Sequence, residues 1–395
     1  MIASPWERFA RDADREEIAG YFEHAADGRP GEAVWFRSPE EVLRREGLEE
    51  AAGLRAEVGR FLGAHPRGAI LGYLTFEAVG LFEPALRGPA SGGPFPRVEL
   101  ALAARVERAS VPSFRRRPLG GRRVGTPRED SLPRPRFERS VRRLVEAIRA
   151  GEAFQVVLAH RRRWQRPDDL LERVGRLRAT ERFSSFYYLR FGDREIVGVA
   201  PESVCEVDGP TAYVDPIAGT LPRGAARGRQ PLHRDPKELC EHRMLVDLAR
   251  NDLGRVARPG SVHLAWTERT VRYARVDHLV SRVEATVRPD VEPWDVLGAT
   301  FPAGTVCGAP KIRAVELLRE EEGSWRGPYA GAVALLRPRR RATFALTIRS
   351  AFTDRDRLWT AAGAGIVHRS EPAREYDETV AKLSAVEASL VGEPR

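Results

Sequence analysis

Two pairs of glutamates stand three residues apart, in segments that are distant from each other along the chain. Glu238 and Glu241 lie in DPKELCEHRMLVDLARND, and Glu375 and Glu378 lie in REYDET. On a helix, this spacing places each pair on one face, where like charges repel by a few tenths of a kcal/mol. A bound cation would offset the repulsion, and oxygen ligands without sulfur suit hard divalent ions such as Mg²⁺. Two solvated helix faces explain the same spacing, because the helix dipole favours acids near a helix N-terminus.

A glycine-rich turn that leads into a helix offers a second kind of chemistry, the binding of an anion. In FPAGTVCGAPKIRAVELL, the turn contains Gly304, Thr305 and Gly308, and the helix begins close to Lys311. Exposed N–H groups at such a helix start bind anions, and Thr305 adds a hydroxyl group. The glycines of GAGIV, residues 363–367, would let a ligand oxygen approach the backbone. Each stretch taken alone is also consistent with a tight turn.

Single polar residues at the ends of apolar runs are further candidates for contact with a substrate. A lone histidine or acid in a strand is more often a hydrogen-bonded core residue than a catalyst. The residues are Gln155 in AFQVV, Glu202 in APES, His278 in VDHLVS, Tyr329 in GPYAG and Arg349 in TIRS.

The elements that must position these residues begin with an α/β segment over residues 1–107. REEIAGYF is interpreted as a helix, and so is the stretch 38–63, with Ser38 as its N-cap. GAILGYLTFEAVGLF and RVELALAARVERA are interpreted as strands. Residues 108–136 are rich in Pro, Gly and Arg and are interpreted as an exposed linker, partly disordered.

Residues 137–395 form the second region, in which short strands alternate with a few helices. Helices are predicted for FERSVRRLVEAIRAGEAF, for residues 236–250, for PKIRAVELLREEE and for the C-terminal SEPAREYDETVAKLSAVEASL. The strands between them, such as AFQVVLAHRRRW and ATFALTIRSAF, show no βαβ rhythm. The pattern predicts an α+β fold with large antiparallel sheets packed face to face and helices outside.

The composition excludes several classes of protein. A hydrophobic content of 42% in 395 residues supports a sizeable core and makes wholesale disorder a poor interpretation. No run of about 18 apolar residues is present, and the first residues lack the apolar region of a signal peptide. The three scattered cysteines indicate a reducing compartment and no disulfide framework. We therefore expect a soluble cytoplasmic protein that does not associate with a membrane.

The formal charge of +9 raises the possibility of a basic nucleic-acid-binding protein. The Arg-rich stretch 115–136 is the best candidate, but no aromatic residues are interleaved with its arginines. A solvated linker is therefore the preferred interpretation of this stretch, and nucleic acid is not an expected partner.

Several segments, taken in order along the chain, resemble the chorismate-utilising family. This family includes the first components of anthranilate synthase and aminodeoxychorismate synthase, and the isochorismate and salicylate synthases. The resemblance is strong over residues 137–390 and loose in the N-terminal third, where only GYLTFEAVGLFE matches. It implies the anthranilate synthase component I-like fold. The segments that carry it are GEAFQVVLAHR, PIAGTLPRG, DPKELCEHRMLVDLARNDLGRV, FPAGTVCGAPK, YAGAV, TIRS, AAGAGIV and EYDET.

The resemblance implies a role for each candidate residue. It implies that the two glutamate pairs converge on one Mg²⁺, which binds the ring carboxylate of chorismate, with Lys382 offsetting part of their charge. It implies that Glu202 is the general acid, kept protonated by burial beside other carboxylates, and that His278 assists the loss of pyruvate. The remaining residues that it implies in substrate binding are Gly219, Thr220, Thr305, Tyr329, Arg349, Gly363, Ala364 and Gly365.

The branches of the family differ in the nucleophile that attacks the ring. Water-using members carry a lysine base where this chain has Gln155, and aminodeoxychorismate synthases typically carry an attacking lysine where it has Ala218. The resemblance therefore favours ammonia attacking C2, followed by loss of pyruvate to give anthranilate. The alternatives are an enzyme that stops at 2-amino-2-deoxyisochorismate and an aminodeoxychorismate synthase of the 4-aminobenzoate pathway.

Two motifs of related enzymes are not found in this sequence, one for glutamine hydrolysis and one for inhibition by tryptophan. None of the three cysteines lies in a nucleophile motif of a glutamine-hydrolysing domain, so we expect ammonia from a separate glutamine amidotransferase subunit. The N-terminal third also lacks an LLES-type motif, so we expect weak or absent inhibition by tryptophan.

Overall fold

The computed structural model describes residues 3–25, 31–48, 53–88, 93–111, 125–180, 183–222, 232–272 and 276–392. In these ranges no helix combines the length and the apolar composition that crossing a bilayer requires. The helices are α1 (Pro5–Ala13), α2 (Leu54–Ala64), α3 (Val79–Phe82), α4 (Arg134–Arg149), α5 (Leu170–Thr180), α6 (Pro236–Gly254), α7 (Pro293–Thr300), α8 (Gly304–Cys307), α9 (Lys311–Glu322) and α10 (Pro372–Leu390).

The strands come from both the N-terminal and the C-terminal parts of the chain. In the first half they are β1 (Ile18–His24), β2 (Gly31–Arg37), β3 (Glu41–Arg45), β4 (Ala69–Leu74), β5 (Val98–Ala103), β6 (Glu107–Val111), β7 (Glu129–Asp130), β8 (Gln155–Gln165), β9 (Ser185–Phe191) and β10 (Arg194–Ala200). In the second half they are β11 (Ser203–Asp208), β12 (Thr211–Val214), β13 (Ile217–Pro222), β14 (His263–Arg272), β15 (Val276–Thr286), β16 (Gly308–Ala309), β17 (Ala332–Arg337), β18 (Arg341–Leu346), β19 (Ser350–Asp354) and β20 (Arg357–Ile366).

These strands build two large sheets. The first has the order β16-β8-β20-β19-β10-β9-β1-β2-β6, with β7 also pairing with β8. The second has the order β13-β15-β12-β11-β18-β17-β4-β5-β3, with β14 also pairing with β15. The N-terminal strands thus extend both sheets, since β1 pairs antiparallel with β9 and β4 pairs antiparallel with β17.

The main core lies between the two sheets. Alternate residues of a strand point to opposite faces, and in β9 Tyr187 and Leu189 join this core. On the other face of the same strand, Phe186 and Tyr188 pack with Trp6 of α1 in a second cluster. Two antiparallel sheets packed face to face with helices on the outside confirm the α+β fold that the sequence predicts.

Two helix predictions in the N-terminal segment are wrong. REEIAGYF contains β1, and residues 41–45 form β3, so the second helix begins only at Leu54 as α2. Ser38 is not a helix N-cap, because its φ of 52° is left-handed and its hydroxyl donates to Glu16. In β1, Tyr21 faces the outer cluster and Phe22 faces the main core, which only a strand allows. Pairing with distant strands overrides the local helix propensity.

The predicted linker, residues 108–136, falls partly outside the described residues, which omit 112–124. Its described parts include the end of β6, the short strand β7 and the first turn of α4. β7 pairs with β8, so the end of this stretch is attached to the first sheet.

Candidate active site

A single buried carboxyl lies where the chain passes from one sheet to the other. Glu202 follows β10 of the first sheet and precedes β11 of the second, and it is 8% exposed. Its backbone oxygen accepts a hydrogen bond from Leu346 N, at 3.1 Å, at the end of β18. Its side-chain Oε1 accepts a hydrogen bond from the Thr305 hydroxyl at 3.0 Å. The structure thus brings together two residues that lie about 100 positions apart in the sequence.

Burial raises the pKa of the Glu202 carboxyl to about 7. The Thr305 hydrogen bond and the positive charges of Arg349 and Lys382 oppose this rise, because they favour the ionised form. The raised pKa and its main cause, burial, agree with the expectation from the sequence. The contribution of the other carboxylates stays a prediction.

The position of Thr305 depends on the short helix α8. Gly304 lets α8 approach α6 closely, because a Cβ on Gly304 would lie 2.2 Å from Leu248 Cδ2. Leu245, one turn earlier on α6, lines a narrow cavity together with Glu202 and Thr305. Helix α6, which carries the first glutamate pair, therefore borders the space beside the buried acid.

Tyr329, Gly363 and Lys382 form a second group of predicted residues that lie together. A Cβ on Gly363 would lie 3.0 Å from the Tyr329 hydroxyl, so only glycine leaves this approach open. Lys382 of α10 donates a hydrogen bond from Nζ to the Gly363 backbone oxygen at 2.9 Å. Burial raises the pKa of Tyr329, so the phenol stays protonated and can donate a hydrogen bond.

The glycines of β20 also bring Gln155 to this group. A Cβ on Gly365 would lie 2.5 Å from the Gln155 side-chain nitrogen. The Gln155 Oε1 atom is buried, and no described residue donates a hydrogen bond to it. Ala364 lies on the same face of β20 as Thr360, which binds Glu387 of α10, so Gly363 and Gly365 share the opposite face, toward Tyr329. That face offers bare backbone, which fits close approach by a ligand.

Arg349, whose charge acts on Glu202, occupies a strained position, and His278 occupies a buried position on the second sheet. Arg349 joins β18 to β19 with a left-handed φ of 49°, which a non-glycine residue adopts only at a cost in energy. His278 lies on β15, is 6% exposed and pairs with Thr220 of β13. Gly219 lies on the same strand as Thr220, and the side chains of β13 beyond Ile217 are outside the described residues.

The two glutamate pairs lie on α6 and α10, the two helices that the sequence predicts for them. Glu238, Glu241 and Glu375 are half-buried, and Glu378 is exposed and lies 2.7 Å from Lys382 Nζ. No group of three or more His, Cys, Asp or Glu side chains in the described ranges is placed to hold a metal ion. The carboxylate oxygens are the donors that Mg²⁺ prefers, so the set fits this ion chemically. Convergence of the four carboxylates on one ion stays a prediction.

A buried hydrogen-bonded chain that sequence reasoning missed attaches α10 to the first sheet. His160 of β8 lies 2.8 Å from Asp130 and 2.9 Å from the Thr379 hydroxyl, and Thr379 directly follows Glu378. Farther along α10, Glu387 accepts a hydrogen bond from Thr360 at 2.9 Å. The signal in the sequence was weak, since a histidine within an Arg-rich strand has the appearance of a solvated residue.

Comparison with known proteins agrees with this geometry. The sequence model of the family described as chorismate binding enzyme matches residues 19–388. Anthranilate synthase component 1 of Saccharolobus solfataricus is 40% identical over 66% of this chain and 63% of its own length. The same component of Aeropyrum pernix is 43% identical, over 64% of this chain and 59% of its own. The 2-amino-4-deoxychorismate synthase of Streptomyces globisporus is 39% identical over 67% and 54%, respectively.

Solved structures give the same picture of the fold. Anthranilate synthase component I of Streptococcus pneumoniae is 26% identical, with a TM-score of 0.75 over 93% of this chain and 90% of its own. The isochorismate synthase DhbC of Bacillus anthracis, 19% identical with a TM-score of 0.78, shares the fold. The chain spans about 60% of the length of these first curated relatives.

Proposed function

Because the chain belongs to the family of chorismate binding enzymes, we propose that it catalyses the amination of chorismate at C2. In this reaction, ammonia adds to C2, the 4-hydroxyl leaves, and elimination of pyruvate then gives anthranilate. Curated relatives named anthranilate synthase component 1, about 40% identical, support this choice.

The buried carboxyl of Glu202 is the observation that carries the proposal. Hydroxide is a poor leaving group, so departure of the 4-hydroxyl requires a general acid whose pKa lies near the working pH. Burial places the pKa of Glu202 at about 7, so a large share of this side chain is protonated at neutral pH. Thr305 holds the same carboxyl at 3.0 Å and so limits its rotation. His278 is proposed to assist the later elimination of pyruvate.

At two positions where other branches of the family carry a lysine, this chain carries Gln155 and Ala218, and both residues favour ammonia as the nucleophile. Gln155 carries a neutral amide, which cannot remove a proton from water as a lysine base does. Ala218 has no nitrogen that could attack the ring and form a covalent intermediate. The chain thus lacks both the lysine that would activate water and the lysine that would attack the ring. This leaves ammonia as the proposed nucleophile.

Two carboxylates of chorismate need to be held at opposite ends of the substrate. Tyr329 and Arg349 are proposed to bind the enolpyruvyl carboxylate, since a guanidinium fork binds such a group through two hydrogen bonds. The backbone from Gly363 to Gly365, together with Gly219, Thr220 and Thr305, would complete the contacts. Lys382, bound to the Gly363 oxygen at 2.9 Å, holds this part of β20 against α10.

The ring carboxylate is proposed to bind Mg²⁺ held by the four helix glutamates, Glu238, Glu241, Glu375 and Glu378. When bound, Mg²⁺ would supply a Lewis acid and a template for the ring carboxylate. The protein side chains would orient the ion and neutralise its charge, and Lys382 would compensate the excess of carboxylates.

Ammonia is proposed to come from a separate glutamine amidotransferase subunit. The relatives that support the function are named as a first component, which implies a second. The described residues include Cys205 and Cys307, which are buried, and Cys240, which is exposed on α6. Burial raises the pKa of Cys205 to about 12 and that of Cys307 to about 11, so neither thiol is a ready nucleophile for glutamine.

A second candidate product follows from the Streptomyces globisporus relative, a 2-amino-4-deoxychorismate synthase that is 39% identical. This compound keeps the enolpyruvyl group after amination at C2, so the two candidates differ only in the elimination of pyruvate. Incubation of the pure protein with chorismate, Mg²⁺ and excess ammonium at neutral pH, where part of Glu202 is protonated, separates them. Chromatography and mass spectrometry should find anthranilate; an aminated product that retains the enolpyruvyl group supports the second candidate. The absence of any aminated product would overturn the proposal.

A further inference from the structure

Side chains complete one edge of β8 at a stretch where none of the described strands pairs with it. The odd-numbered residues of β8 point their backbone groups away from β20, toward the outer edge of the first sheet. At one end of this edge, β16 pairs with Gln155 and Val156; at the other, β7 pairs with Arg162 and Arg163. Between these two short strands, the backbone groups of residues 157–161 need other partners, because buried polar groups without a hydrogen bond are costly.

Ser131 supplies the partners of Arg161, and a buried ion pair supplies those of the Val157 oxygen and the Ala159 N–H. Arg326 Nη2 donates a hydrogen bond to the Val157 oxygen at 2.7 Å, and Glu322 Oε1 accepts one from Ala159 N at 2.9 Å. The two side chains also bind each other, with Arg326 Nε 2.8 Å from Glu322 Oε2. A guanidinium and a carboxylate therefore offer to β8 the donor and the acceptor that a neighbouring strand would offer.

The same guanidinium reaches the helix that carries Thr305. Arg326 Nη1 donates a hydrogen bond to the backbone oxygen of Val306 in α8 at 2.7 Å. Arg326 is 3% exposed, and its guanidinium lies 4.6 Å from the ring centre of Phe76 and 5.8 Å from that of Tyr329. Four donor–acceptor contacts from one buried side chain thus join β8, α8 and the loop before β17.

The position of Arg326 itself is also fixed. Its backbone N–H donates to Glu77 at 2.7 Å, which attaches the loop to the N-terminal segment. Gly323 ends α9 in the left-handed conformation with a φ of 61°, so the chain can turn and send Arg326 back toward β8. Sequence and backbone together direct this side chain to the space between β8 and α8.

We propose that Arg326, paired with Glu322, is a positioning residue that sets Gln155 on β8 and Thr305 on α8 relative to Glu202. Lysine at this position would keep the charge, but its single ammonium cannot span Glu322, Val157 and Val306 in one plane. Arg326→Lys should therefore release α8 and lengthen the Thr305–Glu202 hydrogen bond. The kinetic consequence rests on the proposed function, whereas the change at Glu202 does not.

The experiment measures the titration of Glu202 directly. Glutamate labelled with ¹³C at the side-chain carboxyl is followed by NMR across the pH range, and Glu202→Gln identifies the resonance. The Thr305 hydrogen bond favours the ionised carboxylate, so its weakening in Arg326→Lys should move the titration midpoint upward by roughly 0.5–1 pH unit. With chorismate and ammonium, kcat should also fall by about 10-fold or more, because misplacement of reacting groups is costly.

Thr305→Val provides the internal test. Alone, it should raise the Glu202 midpoint; added to Arg326→Lys, it should raise the midpoint no further, since both act on one hydrogen bond. Fully additive shifts would overturn the proposal. If Arg326→Lys does not fold, Glu322→Gln, which removes one of the two carboxylate acceptors, should give an upward shift of the same origin.

Arg178→Lys is the matched control. Arg178 forms a buried ion pair with Glu23 at 2.7 Å in the outer cluster, beyond the other face of the first sheet. Its substitution should lower the melting temperature without moving the Glu202 midpoint. An equal midpoint shift in Arg178→Lys, or none in Arg326→Lys, contradicts the inference. A shift in Arg326→Lys without any aminated product from the unmodified protein contradicts the proposed function alone.

Discussion

The two halves of the candidate active site differ in how their polar groups are held. In the buried half, Glu202 and Thr305 bind each other at 3.0 Å, and the Gly363 oxygen accepts a hydrogen bond at 2.9 Å from Lys382, an exposed residue of α10. In the acidic half, the glutamates of α6 and α10 are half-buried or exposed and form no three-donor group in the described ranges. Burial requires polar groups to find partners inside the protein, whereas a bound cation would offset the repulsion between like charges on the two helix faces. The first half is held by contacts within the protein, and we propose that Mg²⁺ holds the second.

Glu375→Gln should have the largest effect, because it removes one ligand charge from the acidic half. Turnover should be abolished, with a loss of at least about 100-fold. In the unmodified protein, Mg²⁺ at 100 times its dissociation constant should stabilise the fold by about 2.7 kcal/mol. Calorimetry with and without Mg²⁺ should show a higher melting temperature with Mg²⁺ for the unmodified protein and no such increase for Glu375→Gln.

Glu371→Gln is the control for that measurement. Glu371 precedes the same helix, is exposed and pairs with Arg374 at 3.0 Å. It should leave both turnover and the Mg²⁺-dependent melting temperature unchanged. If Glu375→Gln also retains the stabilisation by Mg²⁺, the assembly of the acidic half by an ion is refuted.

Glu202→Gln removes the proposed general acid from the buried half and should lower kcat by about 100- to 10,000-fold. The protonated form of Glu202 is the proposed active one, and burial raises the pKa of this carboxyl to about 7. The activity of the unmodified protein should therefore fall as the pH rises through about 7. A pH–rate profile above pH 7 tests whether Glu202 is the general acid. If Glu202→Gln shows the same fall in activity above pH 7, the assignment is wrong.

The same carboxyl should make the stability of the fold depend on pH. The unfolded chain ionises Glu202 near 4.5 and the folded chain near 7, so between these values unfolding releases a proton. At about 1.4 kcal/mol per pH unit, the free energy of unfolding should fall by about 3 kcal/mol from pH 4.5 to pH 7 on account of this group. Urea unfolding across this range should show the fall in the unmodified protein and a smaller one in Glu202→Gln.

Gly365→Ala tests whether the buried half of the site can accommodate one additional methyl group. The new methyl group would lie 2.5 Å from the Gln155 side-chain nitrogen and would displace that amide. We expect a loss of about 10-fold in kcat/KM, measured at saturating Mg²⁺ so that the acidic half is constant. Gly59→Ala, where a Cβ meets nothing within 4 Å, is the control and should leave activity unchanged.

Gln155→Lys should have the smallest effect on the total rate and a specific effect on the product. A lysine there can act as a base toward water, so a minor hydroxylated product should accompany the aminated one. Mass spectrometry of the products detects it. An unchanged product profile would count against the role of Gln155 in selecting the nucleophile.

The sequence was informative about the site and much less so about the N-terminal strands. Glu202, Thr305, Tyr329 and Gly363 were predicted as site residues because their types follow the pattern of a known family, and the structure brings Glu202 to Thr305 and Tyr329 to Gly363. The strand β1 was predicted as a helix, because its partner β9 lies more than 160 positions away and no local pattern encodes their pairing.

The edge of β8 illustrates what local patterns cannot supply. Arg326 and Glu322 are four residues apart and separated by a helix stop, which alone suggests a surface ion pair. Their role follows only from the length of β16, which covers two residues of β8 and leaves Val157 and Ala159 to the ion pair. Such a gap is visible only when the strands are in place.

The pairing of β4 with β17 has a consequence during synthesis. Leu74 of β4 pairs with Ala332 of β17, which is synthesised about 260 residues later. At roughly 5–20 residues per second, the ribosome makes β17 about 10–50 s after β4. For that time the apolar β4 has one unpaired edge, which invites association between nascent chains. Slowed translation or a missing chaperone should therefore reduce the yield of this protein before it changes any property of the finished enzyme.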